Sequence, residues 1–246
     1  MISSHMTTDE DRRKAQEDGI ETAASLRDAV EMLFRPSSET RRGVKSGMPS
    51  RLAVLASGRG SNLQAIIDHF DNIARERVAK VVLVASNRAD SPALIRAATA
   101  SIDIAHFDGA DDGTQLLALL QKFRIDLVVL AGYLKRIPSK VIHEYAGRII
   151  NIHPALLPAF GGEGMYGARV HEAVIAAGAK ESGVTVHLVD DDYDRGPILA
   201  QWRVPVEKSD TAESLAARVL NVEHIVYPRT VEMVAMLQQL ESKTSS

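Results

Sequence analysis

The sequence predicts an α/β fold: a Rossmann-like, mostly parallel sheet wrapped by helices in a single domain. Three observations carry this expectation. Short apolar runs alternate with amphipathic stretches from Arg51 onward, a glycine turn joins the first run to the first helical pattern, and a buried run ending at Asn151 opens into a polar motif. The first run is Leu52 to Ala56, and Ser57-Gly58-Arg59-Gly60-Ser61 turns it into a helical pattern over 62–70. Runs at Lys80 to Ala85, Ile102 to His106, Leu127 to Ala131 and Arg148 to Asn151 follow, alternating with helical patterns around 91–100, 113–123 and 138–145. Val184 to Val189 and Ile198 to Val206 read as further strands. A long helix from about Ala212 to Leu240, interrupted near Pro228, ends the pattern.

The domain is expected over residues 48–240, with a polar extension at 1–47 and a tail at 241–246. Met1 to Met6 reads as an expression-vector remnant and enters no functional argument. Glu21 to Phe34 is the one amphipathic stretch of the extension, and a basic Arg41-Arg42-Gly43-Val44-Lys45 linker follows it. The polar composition predicts an extension dispensable for chemistry. The rival reading is that Ile20, Ala24, Leu26, Val30, Leu33 and Phe34 form an apolar face that packs on the domain or on a second subunit.

Composition bounds the function by exclusion. With 246 residues, 45% hydrophobic and 25% charged, the chain can bury a substantial core, and its net charge of −3 gives no electrostatic footprint for nucleic acid. The absence of cysteine removes disulfides and any thiol nucleophile. No apolar run approaches membrane-spanning length and no signal-peptide pattern opens the chain, so a cytoplasmic protein without a membrane partner is expected.

Two motifs carry chemistry. Asn151-Ile152-His153-Pro154 follows a short buried run, so the period of two places Asn151 and His153 on one strand face at its carboxyl end. An amide donor beside a protonatable ring suits a carbonyl oxygen that acquires charge, and His187 with Asp194-Arg195-Gly196-Pro197 supplies a second imidazole and a carboxylate downstream. Singly, each of these residues is more often structural; together they point to acyl transfer. In the second motif, Gly58 and Gly60 allow close backbone approach, and the unpaired N–H groups of the helix that follows favour an anion. The loop lacks both the third glycine of the dinucleotide fingerprint and the Gly-Lys-Ser/Thr ending of the triphosphate loop, so it reads as a small phosphate site.

The motifs Ser57 to Gln64, Ser86 to Asp90, Leu130 to Tyr133, Tyr145 to Pro158 and Thr185 to Pro197 resemble, in order and spacing, those of the folate-dependent formyltransferases. The resemblance covers roughly residues 51–236 and is closest to the branch of purine synthesis whose acceptor is the amine of a phosphoribosylglycinamide. It implies a one-carbon transferase with 10-formyltetrahydrofolate as co-substrate, small-molecule partners, no metal, and a monomer or homodimer. Carried onto this sequence, it makes Asn151 the amide that holds the formyl oxygen, His153 the general acid and Asp194 the carboxylate that raises the imidazole pKa. It gives Gly60, Ser61 and Asn62 to the substrate phosphate and Glu223 to the rest of the ribonucleotide. Leu134, Lys135, Arg136, Ile137, Asn151, Val189 and Asp191 fall to the folate pocket. Leu134-Lys135-Arg136-Ile137-Pro138 departs from the family's single arginine followed by two aliphatic residues, and the glycine-rich run from Ala159 to Gly167 is longer than the family's, with a lid as its functional reading.

Two rivals follow. A formyltetrahydrofolate hydrolase shares the Asn, His and Asp constellation, although residues 1–47 are too short and polar for its usual regulatory domain. A non-catalytic folate or nucleotide-binding module would tolerate loss of one of the three residues, and all three are present. Methionyl-tRNA formyltransferase is weaker still, with nothing after Leu240 to form its RNA-binding barrel.

Overall fold

A computed structural model describes residues 48–71, 75 and 77–244, so the stretch from Glu21 to Phe34 lies outside the described residues. Strands β1 (Ser50–Leu55), β2 (Ala79–Ser86), β3 (Asp103–His106), β4 (Leu127–Leu130) and β5 (Ile149–His153) pair in parallel in the order β3-β2-β1-β4-β5. Strands β6 (Glu181–Leu188) and β7 (Ile198–Pro205) extend the same sheet in antiparallel fashion, making it mixed rather than wholly parallel.

The helices are α1 (Ser61–Phe70), α2 (Pro92–Thr99), α3 (Thr114–Lys122), α4 (Ser139–Glu144), α5 (Ala168–Ala176) and α6 (Ala212–Thr244). They cover both faces because the strand residues alternate: Leu52 and Val54 enter the core under α1 and α6, while Ala53 and Leu55 enter the one under α3 and α4. Tyr227 spans the joint. Fully buried, it donates its hydroxyl to the carbonyl oxygens of Leu130 at 2.8 Å and Ile150 at 3.2 Å, fixing α6 across β4 and β5.

Three sequence expectations change. β5 runs on past Asn151 to His153, because Asn151 and His153 register against His187 and Thr185 of β6. The helix α5 was not predicted; its buried Val170, His171 and Val174 follow so closely on the glycine run that the helical period is short and unheralded. The third change is at Pro228, where α6 is continuous. The proline removes one backbone donor, but Tyr227, Val231, Val234 and Ala235 are buried on either side of it and hold the two halves in line. The helix also covers residues 241–244, most of the expected tail.

The strand order reverses between β1 and β4, and the carboxyl ends of parallel strands beside such a point open the crevice where α/β sheets bind ligands. The loop after β1 and the end of β5 both face that crevice.

Candidate active site

The Gly60 turn is built as the sequence predicts. Gly60 sits at φ 74°, ψ 28° as the residue before α1, a left-handed conformation that costs glycine little. Its carbonyl accepts from Gln64 N at 2.9 Å, which leaves the N–H groups of Ser61 and Asn62 in the first helical turn free to face an anion. A Cβ on Gly60 would lie 3.0 Å from both Cα and Cβ of Ala93. Gly60→Val is therefore expected to raise the KM for a phosphorylated substrate at least tenfold and also to lower Tm, whereas Ser61→Ala, which keeps the backbone donors, should change KM little. Steady-state kinetics and thermal melts of the pair separate a backbone site from a hydroxyl site.

Behind the turn, Asn62 donates its side-chain amide to Glu223 Oε2 at 2.5 Å, joining α1 to α6. Burial pushes the Glu223 carboxyl above its ordinary value, opposed by that one hydrogen bond. A carboxyl raised in the folded state contributes stability below the unfolded pKa, near 4.3, and loses it as pH rises through the folded value. At neutral pH the charge is a cost. Glu223→Gln keeps an acceptor for Asn62 and removes the charge, so its Tm at pH 7.5 should exceed the parent's by roughly 2–4 °C, on the order of 1 kcal/mol. The gain should vanish near pH 4. A variant no more stable at pH 7.5 would mean that the site already solvates the carboxylate.

The second cluster gathers at the end of β5. Asn151 Nδ2 meets His187 Nε2 at 3.1 Å, and His187 Nδ1 donates to the Leu188 carbonyl at 2.8 Å. His153 Nε2 donates to the Phe160 carbonyl at 2.8 Å. Asp194 lies 3.5 Å from His153 Nδ1 through one oxygen and 3.5 Å from His187 Nε2 through the other. Gly162 N donates to Asp194 Oδ2 at 3.0 Å. Thr185 holds the turn after His153, accepting from Leu157 N at 3.0 Å and donating to the Ala155 carbonyl at 2.7 Å.

Asp194 raises the His153 imidazole pKa as the resemblance implies, but a larger effect opposes it. Burial pushes the His153 imidazole below its usual value, and the Asp194 charge, which acts the other way, does not make up the difference. The ring of the free site favours the neutral form. Burial raises Asp194, but the His187 contact, the His153 ring and the Gly162 N–H together outweigh it and hold the carboxyl below the usual range. A neutral imidazole beside an ionised carboxylate is poised to take a proton.

A narrow cleft opens beside this cluster, walled by Tyr133, Lys135, Arg136 and Ile137 on one side and by Val189 to Asp194 on the other. Arg136 crosses it, donating to the Asp191 carbonyl and lying 5.8 Å from the Tyr193 ring centre. His143 meets the Asp191 carboxylate at 2.7 Å. Of the residues expected at a folate pocket, Lys135, Arg136, Ile137, Val189 and Asp191 line the cleft, and Asn151 adjoins it through His187. Leu134 does not; it is 48% exposed. His187, singled out from sequence as a second imidazole without a role of its own, is brought against Asn151 and Asp194. The backbone of Phe160 and Gly162 was given no role from sequence, because a backbone carbonyl or N–H carries no residue-type signal.

Comparison with known proteins decides the family. The formyl transferase family profile matches residues 50–231, about three-quarters of the chain. This chain belongs to the formyl transferase family. Within that family it is 46% identical over 188 residues to the chloroplastic phosphoribosylglycinamide formyltransferase of Vigna unguiculata, matching 74% of this chain and 60% of that protein. It is 38% identical over 190 residues to the phosphoribosylglycinamide formyltransferase of Haemophilus influenzae, matching 74% and 85% respectively. The crystal structure of phosphoribosylglycinamide formyltransferase from Anaplasma phagocytophilum superposes with a TM-score of 0.70 at 38% identity, over 76% of this chain and 87% of that one. The formyl transferase match thus contains the glycine turn, both walls of the cleft, Asn151, His153, Asp194 and Glu223.

Proposed function

We propose that this chain transfers the formyl group of 10-formyltetrahydrofolate to the amine of 5'-phosphoribosylglycinamide, a step of de novo purine biosynthesis. The observation that carries this reading is the convergence of Asn151, His153, His187 and Asp194 at the end of β5, with an anion turn on one side and a cleft on the other. A ribonucleotide phosphate fits the Gly60-Ser61-Asn62 turn, with Glu223 behind it. The folate lies in the cleft bounded by Lys135 to Ile137 and Val189 to Asp194, where Arg136 already bridges the two walls.

Direct transfer gives Asn151, His153 and Asp194 each a role. The amine lone pair forms the new N–C bond as the formyl π electrons move onto oxygen. Asn151 Nδ2–H and the His153 Nε2–H, once released from the Phe160 carbonyl, bear the oxyanion. The proton lost by the amine passes by way of Asp194 to His153 Nδ1. When the intermediate collapses, the bond to N10 of the folate breaks and that nitrogen takes the proton, leaving the amide product and tetrahydrofolate. The step needs no covalent enzyme intermediate and no metal. The small-molecule partners, cytoplasmic location and monomer or homodimer expected from sequence belong to the same reading.

The deciding assay follows tetrahydrofolate release from 10-formyltetrahydrofolate with and without glycinamide ribonucleotide. Release that requires the acceptor supports the transferase. Equal release in its absence makes water the acceptor and the chain a hydrolase, and no release in either case leaves a binding module.

A further inference from the structure

Helix α6 presents an apolar stripe to solvent. Ile225, Arg229, Met233, Met236 and Leu240 succeed one another at spacings of four, four, three and four, the period of one helical face, and the apolar four of them are between 41% and 58% exposed. On the adjoining edge strand β7, Trp202 is 61% exposed. Between them runs a groove of about 360 Å³ whose walls are Leu199, Ala200, Trp202, Val222, Val226 and Met233. Scattered apolar residues on a surface need no explanation, but a stripe continuous with an apolar groove at a sheet edge does. None of these residues lines the folate cleft, although Ile225 and Arg229 also line a cavity that reaches Ser61.

The chain itself supplies a fitting occupant. The described structure starts at Met48, whose carbonyl accepts from Gln239 Nε2 at 3.2 Å, so the described chain begins beside the last turns of α6. Within residues 1–47, Leu26, Val30 and Leu33 recur at spacings of four and three, with Phe34 adjoining. Laid out as a helix, residues 21–34 measure roughly 21 Å, and the stripe from Ile225 to Leu240 measures roughly 22 Å. Residues 35–47 reach up to roughly 45 Å when extended, ample to return the segment along α6. The segment carries Glu21, Asp28 and Glu31 against Arg27 alone, an acidic surplus that suits the single charge of the stripe, Arg229.

We infer that residues 21–34 dock in cis on the exposed face of α6 and the Trp202 groove, the segment's apolar face against the stripe. The domain then has no free apolar edge at β7, and the extension is a structural strap rather than a dispensable tail.

Trp202 is the only tryptophan of the chain and sits on the proposed interface, so its fluorescence reads the contact directly. The experiment uses the full chain, with the double variant Leu26→Glu, Leu33→Glu on one side of the contact and Met233→Glu on the other. In the parent, Trp202 should emit at shorter wavelength and resist acrylamide, independently of protein concentration and in a monomer by light scattering. Either variant should shift the emission to the red and raise the quenching constant at least twofold, with formyl transfer retained as evidence of folding. The proposal is overturned if parent and variants quench alike. Shielding that grows with concentration and tracks a doubled mass overturns it too, because the occupant is then a second copy. The readout is independent of turnover, so failure here leaves the catalytic reading untouched and the reverse also holds.

Discussion

Replacing His153 by alanine, or Asp194 by asparagine, is expected to lower kcat about 10²–10³-fold, the roughly 2.7–4 kcal/mol that an oxyanion-site donor contributes, while each KM moves only a few-fold. His153→Ala removes both the Nε2 donor and the nitrogen facing Asp194 at 3.5 Å. Asp194→Asn keeps an acceptor for Gly162 N but removes the charge between the two imidazoles. The pH profile discriminates further. With burial holding His153 below the ordinary imidazole value, the free enzyme is neutral at that ring near pH 7, and the proposed proton path needs it neutral. Activity as kcat/KM should then fall as pH drops through the lowered His153 pKa, below about 6.5, and stay level above it until other groups titrate. A profile that instead rises toward acid pH would make the imidazolium the working form. Near-parental kcat in either variant would remove both residues from the chemistry.

How far the sequence could lead is clearest residue by residue. The alternation of Leu52 and Val54 with Ala53 and Leu55 is legible as a strand buried on both faces, and the glycines after it mark the turn, because conformations near φ 74° select glycine from the sequence. Asn151 and His153 share a face by period alone. Pairing direction is not legible this way: β6 alternates apolar Val184, Val186 and Leu188 with polar Thr185 and His187, yet all five are buried, so its antiparallel course emerges only from its partners. Asp194 was placed at the site by resemblance. Its left-handed backbone, φ 54°, is uncommon for a residue with a side chain, and nothing local announces it. The protonation of His153 was the least legible property. A neighbouring carboxylate can be guessed from a motif, whereas the burial that outweighs it is a sum over β5, β6 and the loop at Phe160.

Gly196→Ala is expected to damage the enzyme in a second, separable way. A Cβ at Gly196 would fall 1.9 Å from the Leu188 carbonyl oxygen, a backbone atom of β6 that cannot rotate aside. The chain must shift where it turns back: the Leu188 N to Pro197 O hydrogen bond of 2.9 Å closes the loop that contains Asp194, and Asp190, which bounds the cleft, lies on the same loop. Overpacking of this kind costs typically 1–3 kcal/mol, which for a domain of this size lowers Tm by roughly 2–12 °C. Because the displaced loop carries one wall of the cleft as well as the carboxylate, the KM for 10-formyltetrahydrofolate should rise together with the fall in kcat, while the ribonucleotide KM, which the proposed function assigns to Gly60 and Glu223, should hold. Asp194→Asn, by contrast, should lose kcat with its Tm nearly intact. Parallel melts and two-substrate kinetics on the pair therefore divide the loop's geometric role from the charge it carries, and a Gly196→Ala protein with parental Tm and folate KM would show that β6 and the loop can separate without cost.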